Sequence, residues 1–116
     1  MLRNELGRTG EDVAATYLSA RGYQIVDRNV RYREGEIDLI ASRGGVLAFV
    51  EVKTRRSRAF GIPAEAVTYT KQRRIRSMAV RYLTENRAGA RAVRFDVIEV
   101  VPEGRGYRVR HLEDAF

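Results

Sequence analysis

Gly35-Glu36-Ile37-Asp38-Leu39-Ile40-Ala41-Ser42-Arg43-Gly44-Gly45-Val46-Leu47-Ala48-Phe49-Val50-Glu51-Val52-Lys53-Thr54 reads as two β-strands joined by a tight hairpin. Gly44-Gly45 is the turn signal, and the apolar runs on either side carry strand composition. Glu36 to Ser42 is one strand and Val46 to Thr54 the next. Side chains alternate along a strand, so Glu51 and Lys53 leave one face while Val50 and Val52 leave the other. A turn centred on Gly44-Gly45 brings Asp38 opposite position 51. Two carboxylates and an ammonium then converge on one small patch of sheet.

The flanking sequence supplies the remaining elements. Residues from about Glu5 to Arg21 predict a helix, with Val13, Ala14, Tyr17 and Leu18 at helical spacing and Gly22 at the C-terminal cap. Tyr23 to Tyr32 predicts the first strand, closed by a turn at Arg33-Glu34-Gly35. After Thr54 a polar loop containing Ser57 and Gly61 leads to Pro63, placed to open a helical turn. Tyr69 to about Asn86 predicts the second long helix, with Ile75, Met78, Ala79, Tyr82 and Leu83 as its apolar stripe. Ala92 to Val101 and Tyr107 to Leu112 are two further strands, turned by Glu103-Gly104-Arg105-Gly106. The order α-β-β-β-α-β-β implies an α/β domain in which a mixed β-sheet is flanked by helices.

The bulk properties agree. A chain of 116 residues, 44% hydrophobic, suits one domain over residues 1–116 with a real core. It has no cysteine, which excludes disulfides and thiolate metal sites. No signal-peptide or membrane-spanning run is present, so a cytoplasmic protein is the expectation. The net charge is +7, and it is regional. Lys53 to Arg81 holds nine basic residues against Glu65 alone, a local +8, while the rest of the chain sums to −1. Such a segment suits a polyanion, nucleic acid above all, although a solvated basic face has the same composition.

Phosphodiester hydrolysis needs the set that the hairpin assembles. Asp38 and Glu51 offer oxygen ligands to a hard cation such as Mg²⁺ or Mn²⁺, which polarises a phosphate and acidifies a bound water. Lys53 beside them can orient that water or neutralise developing charge. The plainer alternative is a charged cross-strand cluster on an exposed face. It fits poorly with a strand as apolar as Val46–Val52, where charges need partners or a task. Glu11 is in register with Ala14, Ala15 and Leu18, and Lys71 with Ile75, Met78 and Tyr82, so both can face the carboxylates. Glu11 can equally serve as favourable charge near a helix N-terminus, and Lys71 as one more member of the basic face. Glu36 shares the strand of Asp38 two residues earlier and is either a third carboxylate or a turn residue. Arg55, Arg56 and Arg58, just beyond the strand, and Arg74 with Lys71 on the helix, are candidates to hold phosphates. Tyr32 and Tyr69 are candidates to stack on bases, or simply to pack. Asp96 reads as a buried partner of a nearby arginine, and His111, the single histidine, as a surface residue. Phosphate-loop, dinucleotide and Ser-His-Asp patterns are missing.

The paired strand motifs, Gly35-Glu36-Ile37-Asp38-Leu39-Ile40 and Phe49-Val50-Glu51-Val52-Lys53-Thr54-Arg55, closely resemble the signature of the bacterial YraN family. Gly10-Glu11 with Ala14 and Leu18, Arg28-Asn29 and Arg94-Phe95-Asp96-Val97 extend the likeness over nearly the whole chain. That family is similar to archaeal Holliday junction resolvases and to the wider restriction-endonuclease-like, PD-(D/E)XK group. The resemblance implies a restriction-endonuclease-like fold, with Glu11, Asp38 and Glu51 as the acidic residues and Lys53 as the active-site lysine. It implies a metal-dependent endonuclease acting on DNA, with branched or junction DNA as a substrate and a homodimer as the assembly that a twofold substrate calls for. A non-catalytic nucleic-acid-binding or scaffold protein that keeps the nuclease fold is the alternative from another class, and RNA a further substrate that the same basic segment would serve.

Overall fold

The computed structural model describes residues 3–55, 67–86, 89–90 and 92–116. In chain order the elements are α1 (Arg3–Ala20), β1 (Gln24–Tyr32), β2 (Gly35–Arg43), β3 (Val46–Thr54), α2 (Tyr69–Asn86), β4 (Ala92–Glu103) and β5 (Gly106–Leu112). This is the expected α-β-β-β-α-β-β order, with element ends that differ from the sequence reading by at most two residues. The polar loop with Ser57 and Gly61 and the turn at Pro63 lie outside the described residues. No helix among those described is long and apolar enough to cross a membrane.

The five strands form one open sheet in the order β1-β2-β3-β4-β5. Only β3 and β4 run parallel; the other three pairings are antiparallel. The parallel pair follows from α2, which carries the chain back across the sheet between them. Gly44 and Gly45 have φ of +57° and +82°. Two positive values are what a two-residue hairpin requires to match the twist of its strands, and they set the register at Arg43↔Val46 through Leu39↔Val50. α1 stops at the expected cap, where the amides of Gly22 and Tyr23 bond to the carbonyls of Ser19 and Leu18.

Both faces of the sheet are covered. α1 packs Ala14 and Leu18 on Leu39, Ala41, Ala48, Val50, Ile98 and Val100. α2 packs Ile75, Met78, Ala79 and Tyr82 on Ile37, Ile40, Leu47, Phe49, Phe95 and Val97. β3 is therefore buried on both sides, which explains its uninterrupted apolar run. Phe49 anchors the α2 side, stacked on Phe95 at 5.8 Å and edge-on to Tyr82 at 5.9 Å. Burial of a side chain of that size contributes about 1.5–3 kcal/mol.

One irregularity positions the site. Leu39 and Ala41 lie under α1, Ile40 lies under α2, and so does Ile37. Strict alternation would send Ile37 the other way, so the pleat is broken between Ile37 and Leu39, at Asp38. The β2–β3 ladder also ends there, at Leu39↔Val50.

Candidate active site

Where β2 parts from β3, the carboxylate of Asp38 takes over the role of the missing ladder partner. The Val52 amide donates to Asp38 Oδ2 at 2.8 Å. The hairpin thus brings Asp38 beside Glu51, at the register that the two glycines dictate. Its carboxylate also lies close to those of Glu11 and Glu36, with one oxygen from each of the three all within 4.8 Å of one another. Glu36 is therefore part of the cluster rather than a detached turn residue. It also accepts from Arg31 Nε at 2.9 Å.

Glu11 reaches the group because α1 sits tightly on the end of β3. A Cβ built on Gly10 would stand 1.9 Å from Thr54 Oγ1, so any larger residue would force Thr54 or this turn of α1 to shift. The side chain of Asn29 bonds to Glu11. Asn29 itself has φ of +51°, a conformation that asparagine tolerates better than most residues.

Glu51 lies on the α2 side, only 6% exposed. Lys71 Nζ donates to its Oε1 at 2.5 Å, and Lys53 Nζ lies 3.9 Å from the same oxygen. Lys71 is aimed by the start of α2, where Thr68 Oγ1 accepts the Lys71 amide at 3.2 Å in a helix N-cap. Sequence periodicity leaves Lys71 free to face inward or to join the basic face, and cannot show that it shares one carboxylate oxygen with Lys53.

The electrostatics follow from burying several like charges together. Burial, reinforced by the negative charges of Glu51, Glu11 and Glu36, pushes the Asp38 carboxyl up to about 8, despite the Val52 amide. Burial also raises Glu11, partly offset by Asn29. Lys53 is lowered from the usual lysine range, by burial first and by Lys71 next. For Lys71, burial acts downward, but its hydrogen bond and attraction to Glu51 win and raise it.

The candidate phosphate-holding residues have separate fates. Arg55 is ion-paired with Glu99 of β4, with the arginine side chain 20% exposed. Lys71 is engaged by Glu51. Arg74 is exposed on α2, and Arg56 and Arg58 lie outside the described residues. Tyr32 packs partly buried beneath Arg81, whereas Tyr69 is 73% exposed.

Away from the carboxylates, Asp96 pairs with Arg94 as expected, at 2.8 and 2.9 Å. His111 is not a surface residue: its side chain is 5% exposed and its Nε2 lies 2.8 Å from Asp96 Oδ2. The register Ile98↔His111 turns the ring inward, against Tyr17 and Tyr23.

The sequence profile described as "Uncharacterised protein family UPF0102" matches residues 10–100. The chain belongs to this family, the YraN family. A UPF0102 protein of Rhodococcus opacus is 53% identical over 112 residues, covering 96% of this chain and 95% of that one. One from Symbiobacterium thermophilum is 52% identical over 117 residues, covering 99% and 98%. One from Dictyoglomus turgidum is 40% identical over 118 residues and covers both chains completely. The UPF0102 match spans Glu11, Glu36, Asp38, Glu51, Lys53 and Lys71, so the whole cluster lies within the family's common region.

Proposed function

We propose that this UPF0102 chain is a metal-dependent nuclease that hydrolyses phosphodiester bonds in nucleic acid, DNA foremost. The observation that carries the reading is the convergence of Glu11, Glu36 and Asp38, with oxygens within 4.8 Å, beside a Glu51 flanked by two lysines. The donor set fits Mg²⁺ or Mn²⁺: its ligands are hard oxygens, and the negative charge that adds to burial in lifting Asp38 is what a dication would relieve. Asp38 and Glu51 would hold the cation, with Glu11 and Glu36 completing the acidic wall.

When bound, the metal would polarise the scissile phosphate and lower the pKa of a water. The chain's own groups do the rest. Lys53, lowered by burial and by Lys71, is suited to orient the attacking water. Lys71 holds Glu51 in place and offers positive charge to the phosphate as negative charge builds on it. Basic residues near the site, Arg74 among those described, would steer the substrate backbone.

The test is cleavage of labelled linear duplex, single strand, flap, four-way junction and structured RNA, with Mg²⁺, Mn²⁺ or EDTA. Metal-dependent cutting is expected, reduced by roughly 100-fold or more in Glu51→Ala and in Asp38→Asn. Undiminished cutting by both variants would sink the assignment. One feature favours a second reading, a nucleic-acid-binding scaffold: Glu51 is already neutralised from within by Lys71. Binding across the panel without cutting, and without metal-dependent thermal stabilisation, would select that reading.

A further inference from the structure

The first turns of α2 and the β1–β2 turn border an open groove of about 310 Å³ lined by Glu34, Tyr69, Thr70, Arg73, Arg74 and Ser77. Its position follows from the two elements. Tyr69 and Lys71 are two residues apart on α2, so they leave it on nearly opposite sides. Lys71 reaches inward to Glu51, while Tyr69 stands 73% exposed on the outer flank. Glu34 is two residues before Glu36 of the carboxylate cluster, about 7 Å along the chain. The groove and the acidic site thus lie on opposite flanks of α2, separated by about a helix diameter, on the order of 10 Å.

We infer that this groove seats one unpaired nucleotide of the substrate, its base stacked on Tyr69 and its neighbouring phosphates on Arg73 and Arg74. The inference rests on the nucleic-acid reading above and narrows it to substrates with a single-stranded segment beside the cut. Three properties carry it. The ring of Tyr69 is largely open to solvent, and a base is the partner whose flat face and size suit both ring and groove. Arg73 sits one helical turn beyond Tyr69 on the same flank, and Arg74 next to it also lines the groove, so the two can follow the backbone past the ring. The single acid in the lining, Glu34, accepts from Arg81 Nη1 at 3.2 Å, so the groove keeps a positive balance. A paired base in a duplex is stacked on both sides and cannot offer its face to the ring, which is why the occupant must be unpaired.

The test measures binding in EDTA, so that no cutting intervenes. Three oligonucleotides are compared by fluorescence anisotropy: a linear duplex, the same duplex with a short unpaired gap, and a single strand. The gapped substrate carries 2-aminopurine in the gap, whose fluorescence reports stacking. The protein should prefer the gapped duplex to the linear one. Tyr69→Ala should lose roughly tenfold on the gapped and single-stranded ligands and much less on the duplex. It should also abolish the 2-aminopurine quench, and Tyr69→Phe should retain it. Equal binding of the gapped ligand by Tyr69→Ala and wild type would overturn the groove assignment alone, as would equal losses on gapped and linear duplex. Failure of the wild type to bind any of the three would overturn the nucleic-acid reading itself.

Discussion

Asp38 is the residue at which backbone geometry and chemistry meet. Its carboxylate caps the Val52 amide where the β2–β3 ladder ends, and burial, reinforced by the acids around it, raises it to about 8. A carboxyl raised on folding keeps a proton that the unfolded chain has already released. Stability associated with Asp38 is therefore full at acid pH and is lost as pH rises between about 4 and 8. Asp38→Asn removes that titration. The melting temperature of the wild type should fall relative to Asp38→Asn across this range, and Mg²⁺ at pH 8 should restore the wild type but not the variant. Parallel melting curves with pH would refute the account. Much of this residue's environment was legible in sequence, because Gly44-Gly45 sets the register and alternation sets the faces. The break in the pleat was not, since nothing between Ile37 and Leu39 marks it, and the meeting of Glu36 and Glu11 with Asp38 depends on that break. Asn29 went unread as a partner of Glu11 because its contribution depends on a backbone φ of +51°.

At the scale of elements, β4 and β5 are tied to the start of β1 by a buried polar network. Asp96, with no exposed surface, accepts from Arg94, from the Asp114 amide and contacts His111, while Arg94 Nη2 donates to the Tyr23 hydroxyl at 2.5 Å. The strand bounds are readable from composition and turns, but the inward turn of His111 is not. Tyr107-Arg108-Val109-Arg110-His111 reads as an exposed edge strand, and only the pairing with Ile98 reveals which member is turned inward. Burial acts to raise Asp96, but the hydrogen bonds from His111 and Arg94 outweigh it and hold the carboxyl below its usual range. The stability it supplies is present above the unfolded value of 3.8 and is lost as pH falls below it, through the folded value. Asp96→Asn should cost about 3 kcal/mol at pH 7, since it removes the fully buried carboxylate charge that pairs with the half-buried Arg94. Urea titrations at pH 7 and pH 3 should show the gap to wild type narrowing in acid; a gap independent of pH would mean that the carboxylate charge is not what matters.

For the whole molecule, the +8 of Lys53 to Arg81 overstates what a polyanion would meet. Among the described residues of that segment, Lys53 and Lys71 attend Glu51, Arg55 is paired with Glu99, Arg81 bonds to Glu34, and Arg76 lies over the ring of Phe95 at 4.6 Å. Arg73 and Arg74 instead face the groove beside Tyr69. Composition could locate the basic segment but could not divide it, because pairing depends on which strands and helices lie side by side. The division has a measurable consequence through counterion release. Each phosphate that a cation neutralises steepens the salt dependence of binding, by about 0.9 in the log–log slope for duplex and about 0.7 for single strand. Arg73→Gln and Arg74→Gln should each make that slope shallower by about 1, read by anisotropy between about 50 and 200 mM salt. Arg55→Gln removes the same formal charge from the same segment, yet its cation is already matched by Glu99, so the slope should stay unchanged. If Arg55→Gln flattens the slope as much as Arg73→Gln, then formal charge rather than internal pairing decides how this chain meets a polyanion, and the groove loses its claim to the substrate backbone.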